Sequence, residues 1–345
     1  MTDQRALEVE DLNVVFKGRR GLPSVHAVRG VSFHIDQRET LGLVGESGSG
    51  KSTTARGLMR LVEPQSGVVR LNGRDVTAMS RSELRTARRD IQMVFQDPYS
   101  SLNPSRVIGL SIGEPLEVHE NLSAADRSER VRELLRQVNL SPDFYERYPY
   151  EFSGGQRQRI AIARAIALNP SVVVCDEAVS ALDVSTQNEI INLLEQLRED
   201  LGVSYLFIAH DLAVVRHISD RIAVMYLGHV LEDGPAERVF TEPSHPYTEV
   251  LLAAVPSPDP SQRLIDNASI IAGELPDPSN PPSGCPFRSR CRYALDICEH
   301  EMPEATPVEG GGTVRCHLQT SGPELDGQPL RAVDGRWVSS APAGS

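Results

Sequence analysis

The chain has 345 residues, and 47 acidic side chains against 35 basic ones give it a net charge of −12 at pH 7. This length predicts two domains, and the acidic balance argues against a general coating of nucleic acid or of an anionic membrane. The sequence has no apolar run of about 18 residues, and its first residues lack the basic end and apolar core of a signal peptide. We therefore expect a cytosolic chain that can still dock on a membrane protein.

Alternating apolar and polar residues predict the first two strands, at 6–16 and 30–35. Short apolar runs predict further strands, and apolar residues at i, i+3 and i+4 predict helices. These strands are expected at 41–44, 91–95, 172–174, 203–209 and 221–226, and the helices at 52–61, 131–138, 155–168 and 190–197. Because apolar strands alternate with helices, we expect an α/β fold whose sheet is largely parallel and covered on both faces.

Composition divides the chain into three parts. Residues 1–240 carry the predicted sheet, and within them the segment from about 97 to 160 is interpreted as an inserted helical subdomain. Prolines and four of the five cysteines follow residue 240, which predicts a loop-rich extension at 241–317. Residues 318–345 are rich in glycine, proline and polar residues, so we expect a flexible tail there.

A glycine-rich segment lies between the predicted strand at 41–44 and the predicted helix at 52–61. Its sequence, GESGSGKS, matches the phosphate-loop pattern G-x-x-x-x-G-K-[ST]. Backbone N–H groups of such a loop point at phosphate oxygens, and glycines allow the close approach. Lys51 is one of only two lysines in a chain that otherwise uses arginine. We expect Lys51 to offset phosphate charge and Ser52 to bind Mg²⁺. The candidate nucleotide-binding residues are Gly45, Glu46, Ser47, Gly48, Ser49, Gly50, Lys51, Ser52 and Thr53.

Two carboxylates, Asp176 and Glu177, follow the apolar run that begins at Val172. Ligands of parallel sheets bind at the carboxyl ends of the strands, where these side chains would lie. We expect Asp176 to hold Mg²⁺ and Glu177 to polarise the attacking water. Cys175, between the strand and the carboxylates, is predicted to be a small buried side chain. Together with the phosphate loop, this indicates a P-loop nucleotide hydrolase.

A further motif narrows the class of hydrolase. Residues 152–159 have the sequence FSGGQRQR, which resembles the signature of ATP-binding cassette (ABC) ATPases, with Phe152 where that family normally has leucine. Ser153 is also a good N-cap for the helix predicted after it. In that family the signature closes over the γ-phosphate held by the opposite subunit. The resemblance therefore implies ATP contacts for Ser153, Gly154, Gly155 and Gln156.

Four more residues stand where ABC ATPases have functional side chains. Phe16 matches the aromatic that stacks on adenine, and Gln96 matches the Q-loop residue that reaches Mg²⁺ and water. Asp183 matches the D-loop at the dimer interface, and His210 matches the switch histidine at the γ-phosphate. The resemblance thus implies a P-loop ABC ATPase core with a mixed sheet, and ATP and Mg²⁺ as cofactors. The implied catalytic residues are Glu177, His210 and Gln96, and the implied Mg²⁺ ligands are Ser52, Gln96 and Asp176.

Longer segments resemble the ATPase subunits of bacterial oligopeptide and dipeptide importers. These segments are QDPYSSLNP at 96–104, YPYEFS at 148–153, EAVSALDVS at 177–185, HPYT at 245–248 and GCPFRSRC at 284–291. Ala178 stands where the family usually has proline, which leaves both carboxylates intact. The resemblance implies an ATPase that powers peptide uptake as one half of an ATPase dimer.

The same resemblance implies the partners and the location. The partners are a second, non-identical ATPase, two transmembrane permease subunits and, indirectly, an extracytoplasmic substrate-binding protein, with no nucleic acid. The chain would be peripheral, on the cytoplasmic face of the cell membrane. An ATPase of a nickel or other small-solute importer and a soluble ABC ATPase remain as alternatives, because the transported solute is chosen largely by the binding protein and the channel.

The extension carries Cys285, Cys291, Cys298 and Cys316. A cytosolic setting argues against disulfides, and the spacing is wider than a zinc knuckle and differs from the ferredoxin run. From the residues alone, a 4Fe–4S cluster, a zinc ion and unliganded thiols all stay open. Some peptide-importer ATPases carry a four-cysteine 4Fe–4S site in this extension, so the resemblance implies such a cluster with a structural role. We expect this site and the nucleotide site to share no residues.

Overall fold

The computed structural model describes residues 5–18, 23–97, 102–254 and 276–320, and the backbone of 330–333 and 336–339. The strands are β1 (Arg5–Phe16), β2 (Val25–Asp36), β3 (Thr40–Val44), β4 (Ser66–Leu71), β5 (Arg74–Asp75), β6 (Ile91–Val94), β7 (Val172–Asp176), β8 (Ser204–Ile208), β9 (Arg221–Tyr226), β10 (His229–Pro235), β11 (Thr306–Pro307), β12 (Thr313–Val314), β13 (Leu330–Val333) and β14 (Arg336–Ser339).

The α-helices alternate with the central strands in the first part of the chain and continue into the extension. They are α1 (Lys51–Leu58), α2 (Arg81–Ala87), α3 (Ile108–His119), α4 (Ala124–Gln137), α5 (Gly154–Ile166), α6 (Val184–Leu201), α7 (Leu212–Ile218), α8 (Ala236–Thr241), α9 (Pro246–Ala253) and α10 (Ile297–His300). Short 3-10 turns occur at Pro142–Glu146, Pro149–Glu151 and Arg288–Arg290. Within the described residues, no helix has both the length and the apolar character needed to cross a membrane.

The central sheet has the strand order β11-β12-β10-β9-β3-β8-β7-β6. Strands β9, β3, β8, β7 and β6 run parallel, whereas β10 and β12 extend the sheet in antiparallel pairs. Every residue of β3, β7 and β8 is buried, as expected for strands covered on both faces. The carboxyl ends of β3, β7 and β8 therefore meet at one edge, which brings the segments that follow them side by side.

The α/β fold with a mixed central sheet is confirmed, and a second, antiparallel sheet of order β2-β1-β4-β5 accompanies it. Strand β1 pairs with β2 on one side and with β4 on the other. Alternation correctly predicted a strand at 6–16, but alternation identifies a half-buried strand and not its pairing partner. Leu7 and Leu12 of this sheet pack with Leu41 and Leu43 of β3 in one buried cluster, so the small sheet packs on the central sheet.

Helices α3, α4 and α5 lie in or next to the segment interpreted as the helical subdomain. The stripe Val131, Leu134, Leu135 and Val138 is fully buried, and the first three of these residues belong to α4. Helix α4 begins after Ser123, whose Oγ accepts a hydrogen bond from the backbone N–H of Asp126 at 3.1 Å. The apolar residues that have this spacing in the sequence thus form the face of α4 that packs against its neighbours.

The extension is joined to the central sheet by a buried polar network. Glu232 of β10 is buried, and its carboxylate accepts hydrogen bonds from the backbone N–H groups of Ser244 at 2.8 Å and His245 at 3.0 Å. The same carboxylate pairs with the buried guanidinium of Arg238. Strand β12 of the extension then adds to the sheet beside β10. The extension therefore continues the core across the predicted boundary near residue 240.

The predicted flexible tail at 318–345 lies largely outside the described residues. Leu318, at its start, is buried against the extension. Further along, the backbones of β13 and β14 pair as an antiparallel hairpin, which the composition of this segment did not indicate.

Candidate nucleotide-binding site

The phosphate loop turns from β3 into α1 with three glycines in the left-handed region. Their φ angles are 149° at Gly45, 80° at Gly48 and 107° at Gly50. A Cβ atom at Gly45 would lie 2.0 Å from the carbonyl oxygen of Met225, and one at Gly50 would lie 2.4 Å from that of Ala27. Glycine is therefore required at both positions, for the backbone angle and for the close approach of neighbouring chain. The loop is pressed between β9 and the small sheet, ahead of the N-terminus of α1.

The side chain of Lys51 bonds back to the carbonyl groups of this loop. Its Nζ donates to the carbonyl oxygens of Gly45 at 2.8 Å and Glu46 at 2.9 Å, and lies 3.3 Å from Ser49 Oγ. The side chain is buried, and burial lowers its pKa while the charges of Glu177, Asp176 and Glu46 oppose that shift. The ammonium is thus fixed where a phosphate chain in the loop would need a positive charge.

Ser52 and Asp176 meet although 124 residues separate them. Ser52 Oγ donates to Asp176 Oδ1 at 2.7 Å, and Asp176 is buried at the end of β7. A hydroxyl and a carboxylate are oxygen ligands of the kind Mg²⁺ prefers, so this pair fits the predicted metal site.

Two of the three predicted catalytic side chains lie near one carboxylate oxygen of the third, Glu177. Gln96 Nε2 donates to Glu177 Oε2 at 2.7 Å. His210 Nδ1 lies 3.9 Å from the same oxygen, and its ring is largely exposed. Gln96 follows β6, Glu177 follows β7 and His210 follows β8, so the parallel sheet delivers all three to one edge.

Glu177 itself has an unusual backbone that the sequence did not indicate. Its φ angle is 51°, in the left-handed region that a residue with a Cβ adopts at some cost. Its N–H donates to the carbonyl oxygen of Ile208 at 2.9 Å, and its carbonyl oxygen accepts from Ser180 Oγ at 2.9 Å. Strained residues held in this way concentrate at functional sites. The bonds fix the direction in which the carboxylate leaves β7.

A cleft of about 470 Å³, within the usual size range of ligand pockets, is bordered by Lys51, Ser52, Gln96 and Glu177. Phe16 lies in its wall and is 44% exposed, so its ring is available to a ligand. The described lining residues are Phe16, Val25, His26, Ala27, Arg29, Ser47, Gly48, Gly50, Lys51, Ser52, Thr53, Gln96, Glu177, Leu227, Gly228, Pro278 and Pro281. The stacking role of Phe16 stays a prediction, and its position in the same cleft as the phosphate loop supports it.

The signature and D-loop residues lie elsewhere in this chain. Ser153 caps α5, where its Oγ accepts from the N–H of Gln156 at 3.3 Å and the Gln156 side chain accepts from the Ser153 N–H at 3.0 Å. Asp183 caps α6 with bonds from the N–H and hydroxyl of Thr186, which lower the pKa of Asp183. Among the described residues that line the cleft, none belongs to 153–156, and Asp183 is likewise outside it. Their contacts with ATP stay a prediction.

Two side chains of the extension reach the phosphate loop, although the four cysteines and the predicted nucleotide-binding residues have no member in common. Arg290 Nη1 lies 2.9 Å from Glu46 Oε2 and Nη2 lies 3.0 Å from Oε1. Tyr247 Oη accepts from the backbone N–H of Glu46 at 2.9 Å. Pro278 and Pro281 also line the cleft. No local pattern identifies such partners, because an arginine between two cysteines and a tyrosine after a proline have many ordinary roles.

The four cysteines of the extension are free thiols held close together. Cys285 donates its backbone N–H to the carbonyl oxygen of Cys298 at 2.8 Å. Burial raises the pKa of Cys316, and the neighbouring Cys285, Cys291 and Cys298 add to that rise. In the part of the chain that the structure describes, no group of three or more His, Cys, Asp or Glu side chains is arranged to hold a metal ion. The 4Fe–4S cluster therefore stays a prediction.

Replacing Lys51 by alanine should weaken ATP binding by on the order of a hundredfold, because the buried charge that offsets the phosphates is lost. Replacing it by arginine should also bind poorly, since a planar guanidinium cannot occupy the space between the carbonyls of Gly45 and Glu46. Equilibrium titration with MgATP measures both, with the exposed Arg136→Lys as control. Unaltered affinity in Lys51→Arg would contradict this assignment of the lysine.

Two family models match the chain. The ABC transporter model matches residues 28–180, and the model described as oligopeptide/dipeptide transporter, C-terminal region, matches residues 231–298. The first match contains the phosphate loop, Gln96, the signature and Glu177, and the second contains Tyr247 and Arg290.

Relatives and a solved structure extend these matches. An oligopeptide transport ATP-binding protein of Salmonella typhimurium is 50% identical over 86% of this chain and 91% of its own length. One of Bacillus subtilis is 48% identical over 90% of this chain and 97% of its own. The solved structure of an ATP-binding cassette bound to ADP and phosphate has a TM-score of 0.61 and 30% identity, over 67% of this chain and 98% of that one. With the cleft built as described, the chain belongs to the family of ABC transporter ATPases.

Proposed function

We propose that the chain is the ATP-hydrolysing subunit that powers the uptake of peptides through a membrane permease, as one half of an ATPase dimer. The observation that carries this proposal is the convergence of Gln96, Glu177 and His210 beside a phosphate loop, in a chain that continues into the peptide-transporter C-terminal region. The relatives' names, which specify oligopeptide transport, support the choice of solute.

Each side chain of the cleft has a separate task in ATP hydrolysis. Lys51 offsets phosphate charge, and Ser52 with Asp176 would hold Mg²⁺, which supplies Lewis-acid stabilisation of the phosphate oxygens. Glu177 accepts the proton of the attacking water, and Gln96, bonded to its Oε2, orients the carboxylate and the water. His210 is exposed beside the same oxygen, where it can contact the γ-phosphate.

The placement of the signature supports the dimer. Ser153 and its glycines are not among the described residues that line the cleft, which supports a second subunit as the source of the residues that close over the γ-phosphate. The matched cassette bound to ADP and phosphate is described as dimeric. We propose that the second ATPase of this importer is similar but non-identical.

Exposed aromatic side chains support docking on the permease. Phe95 is 41% exposed beside Gln96, and Tyr150 is 70% exposed with its ring stacked on that of Tyr148 at 5.7 Å. Apolar rings left in water at the Q-loop and at the helical subdomain provide contacts for another protein. We propose that two permease subunits bind there, which places the chain peripherally on the cytoplasmic face of the membrane, with the substrate-binding protein acting indirectly.

We further propose that Cys285, Cys291, Cys298 and Cys316 hold a 4Fe–4S cluster. Four thiolates are the ligand set that such a cluster takes, and the backbone bond from Cys285 to Cys298 holds two of the four residues side by side. The segment has little apolar core of its own, so a group that links four points of the chain would serve a structural role.

Peptide transport is tested by reconstituting the ATPase pair with its permease in proteoliposomes. Binding protein loaded with peptide should raise ATP hydrolysis and move labelled peptide across the membrane, whereas nickel-loaded or empty binding protein should not. Stimulation by nickel alone would contradict the peptide assignment, and an ATPase that purifies with ribosomes and not with permeases would contradict the transporter.

Glu177→Gln should bind MgATP with near-normal affinity and lose hydrolysis by on the order of 10²–10⁴-fold, because the amide keeps the shape but cannot accept the proton. Glu237→Gln, at an exposed site in α8, is the matched control and should hydrolyse at the wild-type rate. Both rates are measured in the reconstituted transporter. Near-normal turnover in Glu177→Gln would exclude Glu177 as the base.

Protein purified without oxygen should absorb near ~400 nm and contain about four irons per chain. Cys316→Ser should lose the iron, whereas Cys175→Ser, in the buried strand β7, should keep it. Metal analysis and absorbance decide the matter. Finding one zinc and no iron would indicate a zinc site in place of the cluster. Finding neither metal would indicate that the cysteines are unliganded thiols. Full iron in Cys316→Ser would point to the neighbouring His317 or to His300 as the fourth ligand.

A further inference from the structure

Glu46, the second residue of the phosphate loop, is held from three directions. Its carbonyl oxygen accepts from Lys51 Nζ at 2.9 Å, inside the loop. Its N–H donates to Tyr247 Oη at 2.9 Å, and its carboxylate accepts both terminal nitrogens of Arg290 at 2.9 and 3.0 Å. Two of these three supports come from the C-terminal extension and not from the ATPase core.

The ion pair between Arg290 and Glu46 differs from a pair of surface charges, because the arginine is almost fully buried. Only 5% of the Arg290 side chain is exposed, and Nη1 also lies 3.4 Å from Tyr226 Oη. Burial opposes the charge, but the bonds to Glu46 and Tyr226 outweigh it and raise the pKa of Arg290. A two-pronged guanidinium–carboxylate pair fixes the orientation of both groups. The pair therefore holds the Glu46 side chain in one position.

Three buried aromatic rings fasten the extension to the core beneath this pair. The ring centroids of Tyr226 and Tyr247 are 4.6 Å apart, and Phe287 lies 5.5 Å from the first and 5.3 Å from the second. Tyr226 belongs to β9, Tyr247 to α9, and Phe287 to the segment between Cys285 and Cys291. Packed rings resist displacement, so the two supports of Glu46 share one rigid base.

We propose that the C-terminal extension positions the phosphate loop, with Arg290 and Tyr247 holding Glu46 so that the loop binds nucleotide tightly. The nucleotide contacts the backbone N–H groups of this loop, and their directions depend on where residue 46 is fixed. The hydrogen bonds that the structure describes for the Arg290 side chain go to Glu46 and Tyr226. We therefore expect Arg290 to act on binding and not on the chemical step. This inference rests on the ATP site of the proposed function but is independent of the transported solute.

The segment that carries the four cysteines also contributes to the positioning of Arg290. The turn Arg288–Arg290 lies between Cys285 and Cys291, and Cys285 is tied to Cys298 through the backbone. Whatever orders these four cysteines therefore also orders Arg290. Loss of that order should loosen the phosphate loop.

The test is the affinity of the purified full chain for MgATP and MgADP. Arg290→Ala should raise the dissociation constant about tenfold, the effect of one lost charge-assisted hydrogen bond, and Arg290→Lys should recover part of it. The KM of the reconstituted ATPase should rise equally, with kcat at saturating ATP unchanged within about twofold. Tyr247→Phe should also weaken binding, because the Glu46 N–H loses its acceptor.

The matched control is Arg292→Ala. Arg292 lies two residues on, half-exposed, and pairs with Glu249 at 2.9 Å away from the phosphate loop, so its removal should leave affinity unchanged. Glu46→Gln combined with Arg290→Ala should be no worse than the more impaired single variant, since the two act as one pair. Thermal unfolding and the number of reactive thiols show whether each variant keeps its fold.

Several outcomes would overturn the proposal. These are wild-type affinity in a folded Arg290→Ala, an equal loss in Arg292→Ala, full additivity in the double variant, or a fall in kcat without a change in KM. If Arg290→Ala unfolds the extension, Tyr247→Phe decides, because it removes a single oxygen. A chain with the expected affinities but without stimulation by peptide would leave this inference standing and contradict peptide import.

Discussion

The hydrogen bonds from Lys51 to the carbonyl oxygens of Gly45 and Glu46 are the constraint on which the rest of the site depends. They hold a loop in which three glycines adopt left-handed angles between β3 and α1. Such a loop keeps this backbone conformation only when the surrounding structure holds it in place. Here the backbones of Met225 in β9 and Ala27 in β2 lie close against it. The buried ammonium thus has two roles, since it closes the loop and offsets the phosphates that the loop receives.

The catalytic side chains meet at this edge because β6, β7, β8 and β3 are parallel neighbours in the sheet. Each strand ends beside its neighbour, so Gln96, Glu177 and His210 meet although they are far apart in the chain. The carboxylate of Glu177, which follows a left-handed backbone, accepts a hydrogen bond from Gln96, whereas that of Asp176 accepts one from Ser52. Two consecutive acids of similar chemistry thereby receive different partners, one suited to a metal ion and the other to a water molecule.

The parts of the site that are local in sequence could be predicted, and those that depend on distant pairing could not. The phosphate loop and the Asp176–Glu177 pair are short motifs whose residue types already state the chemistry. The pairing of β1 with β2 and β4 could not be predicted, because alternation in β1 carries no information about its partners. The contact between Arg290 and Glu46 joins residues 244 positions apart, and no periodicity specifies such a pair. The consequence is that the extension belongs to the nucleotide site, although its composition suggested a separate appendix.

Hydrogen exchange of the backbone amides, measured with and without MgATP, tests most directly whether the extension and the phosphate loop respond as one unit. In the wild type we predict that ATP slows exchange at 45–53 and, together with it, at 285–291, which lies outside the phosphate loop. In Arg290→Ala we predict that protection persists at 45–53 at saturating ATP and is lost at 285–291. Protection confined to the phosphate loop in the wild type would contradict the coupling of these two segments.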